Sequence, residues 1–375
     1  MKNDLLPRYI FSARYGRHDA EKKRRKVWEE SVGEKFGMHR RQAAELMINT
    51  PVEQAQFIQE ALEDAHQAVL RGEVLGSQRA LQYGGDPVRK HNAKSYNCSF
   101  SLCDRPRFFQ EAFYLLLCGT GVGFSVQKQH VEKLPHVLGP TEGRIIHVVA
   151  DSIEGWADAA GDLLASYFFQ GQTIEFDYSL VRPKGAPISS GAGRAPGPEP
   201  LRIALENIRR LLDGCIGKKL RPIDAYDITM YIADSVRSGG IRRSATLALC
   251  SLDDEEMRNA KVGDWFSSNP QRARSNNSVT VLRGDLTKQM LSDILGASSS
   301  AMGDLGIHLT DDLDWGVNPC AEIGMNPVYD FGSHFETGWS FCNLTEINGV
   351  AVDSYEKGME LATHASVIGT IQASY

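Results

Sequence analysis

The sequence predicts an α/β protein, and three observations carry that prediction. Short apolar runs of strand length alternate with longer helical patterns through the middle of the chain. Glycines punctuate the changes, most densely at Gly119, Gly121 and Gly123. Capping residues and prolines mark where helices begin.

A helical run is expected over residues 19–36. Thr50-Pro51-Val52-Glu53 reads as the start of a second helix, with threonine as cap, proline in the first turn and glutamate closing a capping box. Phe57, Ile58, Ala61, Leu62, Ala65, Val69 and Leu70 form its apolar face, and Gly72 ends it. Asp104 with Pro106 opens another helix, whose run over 108–118 is apolar enough to be buried. Strands are expected over 122–126, 145–149 (buried), 173–178, 245–250 and 278–282. Ser152 caps a helix running to Phe169, and two more helices span 200–212 and 223–236.

The 375 residues can hold two or three average domains or one large barrel. Apolar residues at 42% and charged residues at 23% are ordinary for a globular protein. A net charge of −6 argues against a nucleic-acid-coating surface, so no nucleic-acid partner is expected. Local basic clusters occur at residues 22–26, Arg209-Arg210, Lys218-Lys219 and Arg242-Arg243, the first of which reads as a solvated face. Seven cysteines without a regular framework do not make a disulfide scaffold. No window has the length of a membrane span, and the charged N-terminus lacks the apolar core of a signal peptide. The expected setting is a reducing cytoplasm, where any disulfide is transient and catalytic.

Chemistry concentrates at Asn318-Pro319-Cys320-Ala321-Glu322, followed by Cys342-Asn343-Leu344-Thr345-Glu346-Ile347. Pro319 bars a regular helix, so the thiol sits on a loop. A thiol, a carboxylate two residues on and an amide two residues before can converge on one small polar substrate. Alone, the stretch reads better as a buried free cysteine in a turn. The stretch 183–200, rich in Gly, Pro, Ala and Ser, is either a linker or, with Arg182, Lys184 and Arg194, a phosphate-binding loop. Cys98 and Cys103 have no second pair at ligand spacing, so no metal site is expected. Cys103, Cys118, Cys215 and Cys250 read as packing residues.

NPCAEI followed by FCNLTEI resembles the active-site loop of ribonucleotide reductases. Four more stretches match that family in the same order: YNCSFSLCDRPRFFQEAFYLLLCGTGVGFSVQ from Tyr96, VVADSIEGWADA from Val148, FDYSLVRPKGAPISSGAGRAPGPEPL from Phe176, and SGGIRRSATLAL with RARSNNSV from Ser238. The resemblance covers roughly residues 62–375, and the wording is closest to the adenosylcobalamin-dependent, single-chain type. It implies a ten-stranded barrel of two half-barrels with a finger loop through its centre. The first half-barrel and finger are expected here, as the N-terminal part of the family's chain. A helical region is expected at 1–90 and the barrel domain at 91–375, with effector loops at 176–200 and 237–246 and the finger at 316–347. The second half-barrel and C-terminal tail lie outside this sequence, so the chain alone is expected not to turn over, and a separate C-terminal half is a candidate partner.

The resemblance also implies roles. Cys320 is the thiyl site that removes the ribose 3′ hydrogen, Glu322 takes the 3′-hydroxyl proton and Asn318 positions the ribose. Cys98 and Cys342 supply two electrons and end as a disulfide. Asp151, Ser152, Arg182, Lys184, Gly239, Gly240, Arg242, Arg243 and Ser244 are the implied effector and substrate contacts. The implied cofactor is adenosylcobalamin. The implied partners are a ribonucleotide (a triphosphate by the chain's look), a deoxynucleotide effector and thioredoxin or a similar dithiol. Two other readings remain open: a class I ribonucleoside-diphosphate reductase large subunit, and a silent fragment that only binds effector. Retention of Asn318, Cys320, Glu322, Cys98 and Cys342 together favours the enzyme.

Overall fold

The computed structural model describes residues 5–19, 21–188, 194–236, 245–299 and 303–375. In chain order its main elements begin with α1 (Trp28–Leu46), α2 (Val52–Arg71) and β1 (Val74–Gly76). Then come β2 (Cys98–Leu102), α3 (Arg107–Cys118), β3 (Gly121–Ser125) and β4 (Thr141–Val148). They continue with α4 (Ile153–Phe168), β5 (Gln172–Asp177), α5 (Glu199–Asp213) and α6 (Pro222–Ser235). Next are β6 (Thr246–Ser251), β7 (Ser275–Leu282), α7 (Lys288–Ser298) and β8 (Leu305–Thr310). The last are β9 (Gly316–Val317), β10 (Gly324–Met325), β11 (Ser340–Phe341), β12 (Thr345–Ile347) and α8 (Tyr355–Ala373). No helix among the described residues is long and apolar enough to cross a membrane.

The chain forms two compact units. One contains the residues up to Asn97 together with Cys342–Tyr375. In it, α1, α2 and α8 close over a core of Val32, Phe36, Leu62, Ala65, Val69, Leu361 and Ile368. β12 pairs antiparallel with β1, so the segment leading into α8 is hydrogen-bonded to the segment that follows α2. Gly72 ends α2 in the left-handed conformation expected of it, at φ 73°.

Three local expectations fail in this unit. The helix expected over 19–36 begins only at Trp28. Before it, His18–Asp19 and Arg24–Arg25 pair antiparallel, and the Asp19 carboxylate accepts from the backbone of Glu21 and Lys22. That turn satisfies the backbone locally, and a helix is not needed. Thr50 does not cap α2. Pro51 occupies the cap position with extended ψ of 141°, and the first helical bond runs from Ala55 N to Pro51 O. Phe57 is 71% exposed. It lies five residues before buried Leu62, about 140° around the helix, which takes it off the apolar stripe.

The other unit runs from Cys98 to Phe341. Its sheet has the order β8-β7-β6-β3-β2-β11. The first five strands are parallel neighbours, and only β11 joins antiparallel. Every residue of β2 and β3 is buried, as a parallel sheet requires of its inner strands. The helices between strands pack on one another, α3 with α4 and α6, and α5 with α6. Gly119 stops α3 at φ 82° and turns the chain into β3. Cys103, Cys118 and Cys250 are packed in the interior as expected, while Cys215 is half-buried.

α3 begins at Arg107, directly after the Asp104–Pro106 start expected for it, and the Asp104 carboxylate accepts from Thr337 Oγ1 at 2.6 Å and pairs with Arg105 at 3.1 Å. One expectation fails here. β4, expected to be buried, is exposed, with Ile146 67% accessible. It pairs with β5 in a two-stranded parallel ribbon outside the main sheet. Apolar composition predicted a strand correctly, but a ribbon with one partner leaves a face to solvent.

A buried amine gives this fold a pH signature. Lys35 on α1 is fully buried, and its Nζ has no hydrogen-bond partner. Burial pushes its pKa down to about 7. Between that value and the ordinary lysine pKa near 10.4, the unfolded chain holds a proton that the folded amine does not. Stability should therefore rise with pH across this window, by up to about 1.4 kcal/mol per pH unit from this group alone. Lys35→Met should abolish that component of the slope and raise the melting temperature at pH 7. Urea titrations from pH 7 to 10 on both proteins check this, and equal slopes would contradict it.

Candidate active site

β9 and β10 pair antiparallel, Gly316 with Met325 and Val317 with Gly324. They form a narrow hairpin with residues 318–323 at its tip. Asn318 builds the tip: its N–H donates to Ile323 O at 3.3 Å, and its Oδ1 accepts from Ile323 N at 3.0 Å. Its carbonyl accepts from Ala321 N at 2.8 Å. Ala321 takes a left-handed φ of 63°, a conformation that costs an alanine about 1 kcal/mol and that the surrounding bonds enforce. Asn318 is fully buried, and its Nδ2 has no hydrogen-bond partner. Cys320 and Glu322 are exposed. The sequence motif thus becomes a tip with the amide inside and with the thiol and carboxylate outside.

The hairpin is seated on β2 and β3. Alternation puts Cys98 and Phe100 on one face of β2. Gly316 lies against the Phe100 ring so closely that a Cβ there would overlap it. A Cβ on Gly123 of β3 would stand 2.5 Å from the Val317 carbonyl oxygen. These two glycines permit close approach of backbone to strand, a use of glycine that conformational freedom does not explain. The seat brings Cys98 Sγ to 3.8 Å from Cys320 Sγ across 222 residues of sequence. That is van der Waals contact, well outside the disulfide bond length of about 2.05 Å.

The finger is clamped at both ends by residues that the motifs did not reveal. Before the hairpin, Gln127 Nε2 donates to Leu313 O at 2.8 Å. There the buried His130 bonds Asp314 Oδ1 at 2.9 Å and Ser125 Oγ at 2.8 Å. Burial holds the His130 pKa below the ordinary value even beside the Asp314 carboxylate. After the hairpin, Ser101 Oγ donates to Gly338 O at 2.6 Å and Trp339 Nε1 donates to Glu111 at 2.9 Å. The Trp339 ring also stacks on Phe108 at 5.6 Å. Ser125-Val126-Gln127 lies inside a stretch that matched the family, and polar residues ending a buried strand were the available signal.

A cavity of about 550 Å³ opens beside the tip. Its lining includes Ser278, His308, Trp315, Ala321 and Gly324, with Arg283 and Asp311 paired at 3.2 Å. That volume suits a small organic ligand. Burial lowers the pKa of His308 below the ordinary histidine value.

The expected effector residues fall into three groups. Asp151 and Arg182 meet, Arg182 Nε donating to Asp151 Oδ2 at 2.7 Å, while Arg182 also donates to Pro187 O at 3.1 Å. Ser152 spends its hydroxyl capping α4 through Gly155 N at 3.0 Å, and Lys184 is exposed. Gly239, Gly240, Arg242, Arg243 and Ser244 lie outside the described residues. Cys342 is buried within its own unit, just ahead of β12, where its neighbour Asn343 donates to Gly369 O at 2.7 Å. No cluster of His, Cys, Asp or Glu among the described residues could hold a metal ion.

No family model matches the sequence. Individual proteins do. A Dictyostelium discoideum protein named "Probable adenosylcobalamin-dependent ribonucleoside-triphosphate reductase" is 39% identical over 138 residues, 36% of this chain and 18% of that protein. The adenosylcobalamin-dependent ribonucleoside-triphosphate reductase of Lacticaseibacillus paracasei is 30% identical over 264 residues, 55% of this chain and 35% of that one. Its counterpart in Lactobacillus delbrueckii subsp. bulgaricus is 26% identical over 388 residues, 83% of this chain and 51% of that one. The crystal structure of a B12-dependent (class II) ribonucleotide reductase superposes with a TM-score of 0.79 at 23% identity, over 96% of this chain and 58% of that chain. The chain spans at most about half the length of these curated relatives. Over part of their length the chain is similar in sequence to adenosylcobalamin-dependent ribonucleoside-triphosphate reductases, and its fold is similar to that of a class II ribonucleotide reductase.

Proposed function

We propose that this chain carries the radical site of an adenosylcobalamin-dependent ribonucleoside-triphosphate reductase. The curated relatives bear that activity in their names. The observation in this chain that carries the reading is the meeting of exposed Cys320 with Cys98, 3.8 Å apart at the tip of a clamped hairpin.

Reduction at C2′ replaces an unactivated hydroxyl by hydrogen, which acid–base chemistry at neutral pH does not achieve. A radical at C3′ makes that hydroxyl a much better leaving group. Cys320, as a thiyl, takes the 3′ hydrogen. Glu322, exposed on the same tip, takes the 3′-hydroxyl proton. Asn318 holds the tip in shape through Ile323 and positions the ribose with its remaining amide donor. Cys98 and Cys342 are read as the dithiol whose two hydrogens and two electrons convert the 2′-hydroxyl into C–H and water, leaving a disulfide. An external dithiol such as thioredoxin would restore them, which suits a reducing cytoplasm. The Asp151–Arg182 pair, with Ser152 and Lys184, is read as part of the site for a deoxynucleotide effector.

The cofactor fits on one observation: the Cys320 thiol stands exposed at a hairpin tip, where a bulky planar group can approach the sulfur. Cys320 and Ala321 would face it. Adenosylcobalamin, when bound, supplies the radical that starts the chemistry at the thiol.

The test uses the full protein as it occurs in its source, with adenosylcobalamin, a ribonucleoside triphosphate and a chemical dithiol. Deoxynucleotide formation should appear, and Cys320→Ser should lower it by at least about three orders of magnitude while nucleotide binding persists. Glu322→Gln should lower turnover by about 10²–10⁴. Comparable turnover in the serine variant would overturn the assignment.

Asn318 gives a prediction independent of turnover. Asn318→Ala removes the acceptor of the Ile323 N–H and should destabilise the tip by about 1–3 kcal/mol. Hydrogen exchange at the Ile323 amide should accelerate accordingly. Unchanged protection there would show that the tip is held by something else.

A further inference from the structure

Gly316 of the hairpin lies on the ring of Phe100, a residue of the strand that carries Cys98. Phe100 is fully buried on β2, two residues from Cys98 on the same strand face. Its ring fills the space where any side chain at position 316 would go. Gly316 is four residues before Cys320 and is paired to Met325 across the hairpin. The bonds between Asn318 and Ile323 stiffen the intervening tip. A shift at Gly316 therefore passes to Cys320 with little loss. The Gly123–Val317 approach holds the neighbouring residue close as well. Packed atoms resist compression, so a ring under a backbone acts as a fixed stop.

We propose that Phe100 is a positioning residue: its ring, bearing on Gly316, sets the height of the finger hairpin over β2 and with it the Cys98–Cys320 separation. The assignment rests on Cys320 being the reacting thiol, but it can be read as a distance, without turnover. A fixed spacing between the two thiols follows from it mechanically: Phe100 and Cys98 share one strand, and Gly316 and Cys320 share one hairpin.

The experiment measures bridging of Cys98 to Cys320 in the full chain by a short bifunctional bromobimane, with peptide mass mapping to identify the bridged pair. Gly316→Ala sets a Cβ against the ring and should lift the hairpin, lowering the bridged yield about tenfold, what about 1.4 kcal/mol of overpacking gives. Adding Phe100→Leu to that variant removes the obstructing ring and should restore the yield towards wild type. In the active enzyme, Gly316→Ala should lower kcat with KM little changed. Unchanged bridging in Gly316→Ala overturns the proposal, as does a folded double variant that does not recover. If Gly316→Ala fails to fold, Phe100→Leu alone decides: an altered bridging yield supports the stop, and a wild-type yield removes it. Restored bridging alongside an active Cys320→Ser variant would leave the stop standing and remove only the radical assignment.

Discussion

The constraint on which the site depends is the contact of a two-residue strand with a buried sheet, made possible by two missing side chains. Gly316 lies on the Phe100 ring, and Gly123 makes room for the Val317 carbonyl. A side chain at either place would lift the hairpin away from β2. Cys98 is rigid because β2 pairs with β3 on one side and β11 on the other. Cys320 sits on a tip carried by a four-residue ladder, so its position is inherited from the seat. The 3.8 Å between the sulfurs results from sheet rigidity on one side and glycine packing on the other.

The clamps explain how a tip with a left-handed alanine and two exposed reactive side chains can be held at all. One end is fixed through Gln127 and His130, at the exit of β3. The other is fixed through Ser101, Asp104 and Glu111, at the exit of β2 and along α3. The finger is thus tied to the carboxyl ends of neighbouring parallel strands, where α/β proteins place their ligand sites. The strain at Ala321 is borne by these ties and by the Asn318 bonds.

Much of this was legible in the sequence because local rules and tertiary demands agreed. Gly72 and Gly119 ended helices, Ser152 capped one, and short apolar runs marked β3 and β6, which are buried on both faces. The tip motif was legible as a chemical set. What was not legible depends on partners distant in sequence. Asp104 was legible only as part of a helix start, and that its carboxylate is held by Thr337, more than two hundred residues on, needed the fold. The exposed β4 had the composition of an interior strand, and only pairing decides which side of a ribbon meets water. Phe57 was placed on the apolar face by composition and removed from it by helical angle. Gly123 was visible as a helix breaker, and its more demanding use, room for Val317, needed the fold.

The central claim is that Cys320, held by this seat, carries the unpaired electron. Its most direct test is electron paramagnetic resonance on the full enzyme, frozen shortly after mixing with adenosylcobalamin and a ribonucleoside triphosphate. The account predicts a sulfur-centred radical signal whose hyperfine splitting narrows when the protein is labelled with β-deuterated cysteine, and which is lost in Cys320→Ser. A protein radical that persists unchanged in Cys320→Ser would contradict it.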